Sequence, residues 1–101
     1  MIDHVASLSI VGEEKAAEQL MLRLAAFINR KFPGANARIL RNFDGKMNRI
    51  HLVDTYDSVA AWEAARDSND QDPQWQSLIG PAAGLFDFNS LEGHFYKIVT
   101  P

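Results

Sequence analysis

A chain of 101 residues, 47% of them hydrophobic, is one domain's worth of sequence with enough apolar side chains for a core. The absence of cysteine removes disulfides and thiolate chemistry, and a net charge of −3 with no basic block argues against nucleic acid or an anionic membrane as the main partner. The longest mostly apolar run, around Leu20–Ile28, is interrupted by Arg23, and Met1-Ile-Asp-His lacks the regions of a signal peptide, so a soluble cytoplasmic protein is expected.

Asp3–Val11 reads as a strand. Ala6, Leu8 and Ile10 fall on one face, and Val5, Ser7, Ser9 and Val11 on the other. Leu8 and Ile10 are assigned to the core. Gly12 breaks the strand, and Glu13–Phe32 has helical periodicity through Ala17, Leu20, Leu24, Phe27 and Ile28. Glu13, Glu14 and Glu18 near its start and Arg30 and Lys31 near its end suit the helix dipole, and Pro33-Gly34 stops it. Met21 and Phe32 widen the apolar stripe, for which core packing is expected.

Asn36–Val53 follows as a hairpin. Asp44-Gly45 lies between two alternating runs, a signal for a two-residue type I′ turn. That turn would set Leu40 against Arg49, Ile39 against Ile50, Arg38 against His51 and Ala37 against Leu52. One face then carries Ala37, Ile39, Ile50 and Leu52. The other carries Asn36, Arg38, Leu40, Asn42, Met47, Arg49, His51 and Val53.

Asp54–Ser58 reads as a turn with Asp57 or Ser58 as N-cap, then Val59–Asp67 as a short helix with Val59, Trp62 and Ala65 on one face. Ser68–Asp72 is expected to be loop. Asp72-Pro73 starts another short helix with Trp75, Leu78 and Ile79 inward, ended by Gly80-Pro81. Pro81–Asn89 reads as an irregular stretch packed by Leu85, Phe86 and Phe88, and Leu91–Thr100 as the last strand. There Phe95 and Val99 alternate against His94, Tyr96 and Ile98, and either set could face the helices.

This order gives an α+β fold, a single ferredoxin-like βαββαβ sandwich over residues 1–101 with a four-stranded antiparallel sheet and both helices on one face. The other face would be left with Val5, Val11, Leu40, Met47 and Val53 bare. Small soluble monomers avoid such patches, so a homodimer packed face to face, enclosing a lumen, is expected.

The Asp44-Gly45 hairpin, Val53-Asp-Thr-Tyr-Asp-Ser-Val-Ala-Ala-Trp-Glu63 and Asp72-Pro-Gln-Trp75 together resemble the dimeric α/β-barrel superfamily, which includes antibiotic-biosynthesis monooxygenases and NIPSNAP-like proteins. The last two motifs look closer to the NIPSNAP-like branch. The resemblance implies a homodimer and a range of activities: cofactor-free oxygenases, haem-degrading enzymes, cyclases, isomerases and proteins without known activity. It matches no single catalytic set, so no catalytic residue is carried over.

In the barrel arrangement the lumen receives Ser7, Ser9, Arg38, Arg49 and His51, with His94 and Tyr96 if their set faces it. The two arginines have no acidic residue on their strand faces unless Glu92 comes close, and a buried cation needs a partner. An anionic or carbonyl-bearing ligand would supply one. His51, apposed to Arg38, would have a lowered pKa and serve as general base, with Arg38 or Arg49 stabilising the resulting enolate. Ser7, Ser9, Asn36, His94 and Tyr96 are the candidate substrate-binding residues. His4 is assigned a structural role, and Trp62 and Trp75 are assigned to packing. His4, His51 and His94 lie on different strands with no carboxylate at ligand spacing, so no metal site is expected. No glycine-rich loop exists for a nucleotide, and Ser7 and Ser9 lack a nucleophile-elbow context.

Three functions remain open. The first is an enzyme or binding protein without a cofactor, of monooxygenase, isomerase or cyclase type, acting on a hydrophobic carbonyl-bearing small molecule in the lumen. The second is a non-catalytic dimeric binding or assembly protein. The third is a haem-binding or haem-degrading protein, with His51 or His94 on iron and arginines on the propionates.

Overall fold

A computed structural model describes residues 1–100. The elements are β1 (Ile2–Ile10), α1 (Glu14–Lys31), β2 (Arg38–Arg41), β3 (Arg49–Tyr56), α2 (Val59–Asp70), α3 (Pro73–Ile79), a 3-10 turn at Gly80–Gly84 and β4 (Phe86–Lys97). The sheet order is β2-β3-β1-β4, with antiparallel neighbours throughout. The helices cover one face. This is the α+β ferredoxin-like fold. No helix of the described residues is long and apolar enough to cross a membrane.

Residue chemistry at its ends and along one stripe accounts for α1. The Glu13 carboxylate caps it, accepting from the backbone N–H groups of Lys15 and Ala16 at 3.2 and 2.7 Å. Ala17, Leu20, Met21, Leu24, Ala25, Phe27 and Ile28 are buried along the stripe, and Met21 belongs to the core. Leu20 and Ile50 are the largest fully buried side chains. After the helix the chain returns through Gly34 (φ 98°) and Asn36 (φ 47°), left-handed positions that glycine and asparagine tolerate. Asn29 then pins β2 to α1. Its amide donates to the Ala37 carbonyl at 2.9 Å and its side-chain oxygen accepts from Ala37 N–H at 2.6 Å.

The hairpin differs from the type I′ expectation. Arg38 faces Val53, Ile39 faces Leu52, Leu40 faces His51 and Arg41 faces Ile50, a shift of two residues. Residues 42–48 form the connection, and Gly45 has positive φ while Asp44 does not. The wider loop satisfies its own carbonyls: Asn42 donates to Lys46 O at 2.9 Å, and Arg41 to Met47 O at 2.6 Å. A shift of one would have exchanged the two faces, whereas a shift of two preserves them. Arg38 and His51 therefore share a face but are not opposite one another.

Three further boundaries move. Ser58 caps α2, donating no proton but accepting from Ala61 N–H at 3.1 Å. The helix continues through Ser68, Asn69 and Asp70, which were expected to be loop. Asn69 lies on the same helical stripe as Trp62 and Ala65 and is buried, whereas Val59 is exposed. Asp72 and Pro73 start α3 and Gly80-Pro81 ends it, as expected, with a 3-10 turn following, but Ile79 is exposed. β4 begins at Phe86, inside the stretch expected to be irregular, because Phe86 is buried opposite Ile10. It ends at Lys97 rather than Thr100.

A bulge interrupts β4. Ser7 faces Glu92 and Ser9 faces Asp87, so β4 advances five residues while β1 advances two. The Ser90 hydroxyl fills the gap, accepting from Ser9 N–H at 2.8 Å and donating to Asp87 O at 2.5 Å. Beyond the bulge the alternation is fixed: Phe95 packs on the helix side with His4 and Trp62, while His94 and Tyr96 face the open side.

Candidate functional site

The open sheet face carries the polar groups singled out in the sequence. Leu40, His51, Ser7 and Glu92 form one row across the strands, and Val53, Val5 and His94 lie in the next row with Arg38. His51 Nε2 lies 2.6 Å from Asn42 Oδ1, and Nδ1 lies 2.6 Å from Ser7 Oγ. With the amide oxygen accepting from Nε2–H, a neutral ring accepts at Nδ1 from the serine hydroxyl. Burial, and secondly the Arg49 guanidinium, push the His51 pKa below its ordinary value of 6.5. The cation acting on His51 is Arg49, not Arg38.

Arg38 has an acidic partner that was not expected from the sequence, and Glu92, the exception allowed for there, comes near Arg49. Arg38 bonds Asp3 at 3.3 Å, and the Asp3 carboxylate also accepts from the Thr55 hydroxyl at 2.6 Å. Arg49 donates to Ser9 Oγ at 3.2 Å and Ser90 O at 3.1 Å, with Glu92 at 3.9 Å. Asp3 occupies the same alternation on β1 as Ser7 and Ser9, so the signal for that pair was present. Asn36 precedes β2 in a left-handed conformation, and it meets this group through its carbonyl, which accepts from Arg38 at 3.0 Å. His94 and Tyr96 are exposed, the former 3.5 Å from Glu92. The open face is thus a self-satisfied polar lattice set among exposed Leu40 and Tyr96.

On the helix side, a cleft of about 460 Å³ lies between α2, α3 and the sheet. Its floor is low because Ala6 and Gly93 face one another on β1 and β4. Its walls include Trp62, Trp75, Ile28, Leu52 and Leu91. The His4 ring lies 4.5 Å from Trp62 and 5.0 Å from Phe95, and Trp75 lies 5.5 Å from Phe27. His4, assigned to structure from the sequence, and the two tryptophans, assigned to packing, therefore also line a cleft.

Six polar side chains belong to the same walls: the exposed Arg66–Asp70 ion pair, and His4, Asp54, Tyr56 and Asn69. Asp54 is buried on β3. Its Oδ2 accepts from the Tyr56 hydroxyl at 2.8 Å, and its Oδ1 lies 3.6 Å from His4 Nδ1. Asp54 Oδ1 and Asn69 Oδ1 are both buried and have no hydrogen-bond partner among the described residues. Buried acceptors are ordinarily paired, and leaving one unpaired costs about 1–3 kcal/mol. Burial, and then the Asp54 hydrogen bond, push the Tyr56 phenol well above its ordinary range, so it stays a proton donor. Sequence reading placed Asp54 in a turn. The alternation Ile50, Leu52, Asp54, Tyr56 was the available signal, since it puts a carboxylate on the core face.

This architecture is a ferredoxin-like sheet-and-helix fold of the kind found in NIPSNAP domain proteins and in antibiotic-biosynthesis oxygenases. An uncharacterized NIPSNAP domain protein from Burkholderia xenovorans superposes with a TM-score of 0.78 at 18% identity, over 98% of this chain and 95% of that one. SnoaB, a cofactor-independent oxygenase from Streptomyces nogalater, gives 0.73 at 19% identity, over 99% and 94%. A protein from Deinococcus radiodurans, named for the antibiotic biosynthesis monooxygenases, gives 0.68 at 14% identity, over 100% and 95%. At these identities the likeness is one of fold. No protein-family model and no curated protein sequence matches the chain.

Proposed function

We propose that this protein binds a flat hydrophobic molecule bearing hydroxyl groups in the helix-side cleft and acts on it without a cofactor, as an oxygenase. The observation that carries this reading is the pair of buried, unpaired acceptors, Asp54 Oδ1 and Asn69 Oδ1, in an aromatic-walled cleft. Convergent polar groups in an apolar pocket are the usual signature of a small-molecule site. A phenol or enol hydroxyl would satisfy Asp54 Oδ1 and hand its proton to the Asp54–His4 pair. The resulting anion is electron-rich enough for dioxygen to add at carbon. The C–O bond so formed gives a hydroperoxide at the former methylene carbon; loss of that carbon's remaining proton with cleavage of the O–O bond turns it into a carbonyl and releases the second oxygen atom as water. The fold shared with SnoaB supports this class of reaction.

Anthrone, whose enol carries such a hydroxyl, is a suitable probe. Oxygen uptake above the spontaneous rate is expected, with anthraquinone as product and a loss of at least tenfold in Asp54→Asn. Uptake unchanged in Asp54→Asn would overturn the catalytic reading. Binding of 2-naphthol without turnover of anthrone would leave a binding protein.

The open face supports a homodimer. Leu40 and Tyr96 are about half exposed there, and a second copy packed on it would bury them and enclose Arg38, Arg49, His51, Ser7 and Ser9. Sedimentation of the wild type as a dimer, and of Leu40→Lys as a monomer, is the expected result. A wild-type monomer would remove the lumen and any site in it.

A further inference from the structure

A second hollow of about 510 Å³ lies at the end of the helix layer, where α1 turns into β2 and α2 begins. Its lining includes Gly34, Ala64, Phe32, Ala35 and Ala61. Tyr56 lines this hollow and also lines the inner cleft. Its ring packs against the cluster formed by Ala25, Ile28, Ala35 and Ala37, and its hydroxyl is held by Asp54 Oδ2 at 2.8 Å. One side chain, anchored at both ends, thus stands between two apolar spaces of similar size.

We infer that Tyr56 is a specificity-determining partition: it limits the length of ligand that the inner cleft accepts, and the outer hollow is the space it withholds. Resting on the proposed function, this assigns the cleft a compact ring system and excludes long unbranched tails. On the α2 side the outer hollow is lined by alanines at 61, 64 and 65, and Tyr56 is the residue common to its lining and that of the inner cleft. The packing of its ring on the Ala25–Ile28–Ala35–Ala37 cluster holds the partition in place, and the hydrogen bond to Asp54 orients its hydroxyl. A ligand hydroxyl on Asp54 Oδ1 leaves Oδ2, and hence the partition, undisturbed.

Alkyl 4-hydroxybenzoates, from methyl to octyl, separate head from tail. Trp62 and Trp75, the chain's two tryptophans, both line the inner cleft, so their fluorescence reports binding. In the wild type and in Tyr56→Phe, affinity should stop rising after the shortest tails. In Tyr56→Val, a residue suited to a strand, it should go on rising by about fourfold per added methylene. Adding Ala64→Trp to Tyr56→Val refills the outer hollow from an exposed helix position and should restore the wild-type limit. A folded Tyr56→Val protein that binds the methyl ester but keeps the wild-type length dependence would overturn the partition. Equal binding of methyl 4-methoxybenzoate and methyl 4-hydroxybenzoate would overturn the proposed acceptor site while leaving the partition standing. If neither protein binds any ester, both inferences fall.

Discussion

Leu20 of α1 meets Ile50 of β3 with almost no exposure, and both core clusters draw their helical members from α1. The buried residues of α2 are only Ala65 and Asn69, and Asn69 shares the cleft with the sheet floor of Ala6 and Gly93. The same sheet face is therefore packed solid on one side and left hollow on the other. Ala6 and Gly93 leave the sheet surface low there, and the rings of Trp62 and Trp75 wall the space above it. The lesson is a division of labour. One helix supplies the cohesion of the domain, and that cohesion lets the other hold buried polar atoms that would otherwise be expensive.

Substitutions can test that division. Leu20→Ala, in the packed half, should cost about 3 kcal/mol and lower the melting temperature by roughly 15 °C, read by urea and thermal unfolding. A loss below about 1 kcal/mol would mean the packed half is less rigid than its burial indicates. Asn69→Leu, in the hollow half, should go the other way. It removes an unpaired buried oxygen at similar volume, so stability should rise by up to about 1 kcal/mol while 2-naphthol binding weakens. Destabilisation would mean that the amide has a structural partner.

The open face offers a third contrast, read by pH. The folded pKa of His51 lies below its ordinary value of 6.5, so the unfolded chain binds the extra proton first. Its contribution is full above pH 6.5 and is lost as pH falls through that value toward the folded pKa. His51→Gln keeps a neutral hydrogen-bonding side chain, so its stability should change less between pH 7.5 and 5 than the wild type's. The Asp72 carboxyl, held low by its hydrogen bond to Lys31, loses its contribution only at more acidic pH and does not enter this window. The smallest effect belongs to Gly93→Ala. Its new methyl group would lie 3.4 Å from His4 Nε2 and project into the cleft, so stability should stay within about 0.5 kcal/mol while binding falls.

Much of the fold was legible because alternation and periodicity survive small errors. The hairpin slipped by two residues, yet Arg38, Arg49 and His51 kept the face assigned to them, because strand side chains repeat every two. The loop's length was not legible, since Asn42 and Arg41 stabilise it through contacts that no dipeptide rule encodes. β4 failed at its start for a similar reason. A bulge with an odd number of extra residues changes which side chains face inward, and only pairing with β1 reveals it. The cleft was hidden differently. His4, Asp54, Tyr56 and Asn69 come from three elements, and the emptiness between them depends on Ala6 and Gly93 being small together. The missed Asp3–Arg38 pair, by contrast, was readable from the same alternation that placed Ser7.

The bulge in β4 also bears on solubility. The two edges of the sheet are β2 and β4, and an edge strand exposes a row of unpaired backbone groups that can recruit another chain. β2 spans four residues and begins and ends with arginine, while β4 is broken by the bulge. Neither edge offers an incoming strand a long, regular ladder. Growth of the sheet sideways into fibrillar stacks is therefore disfavoured.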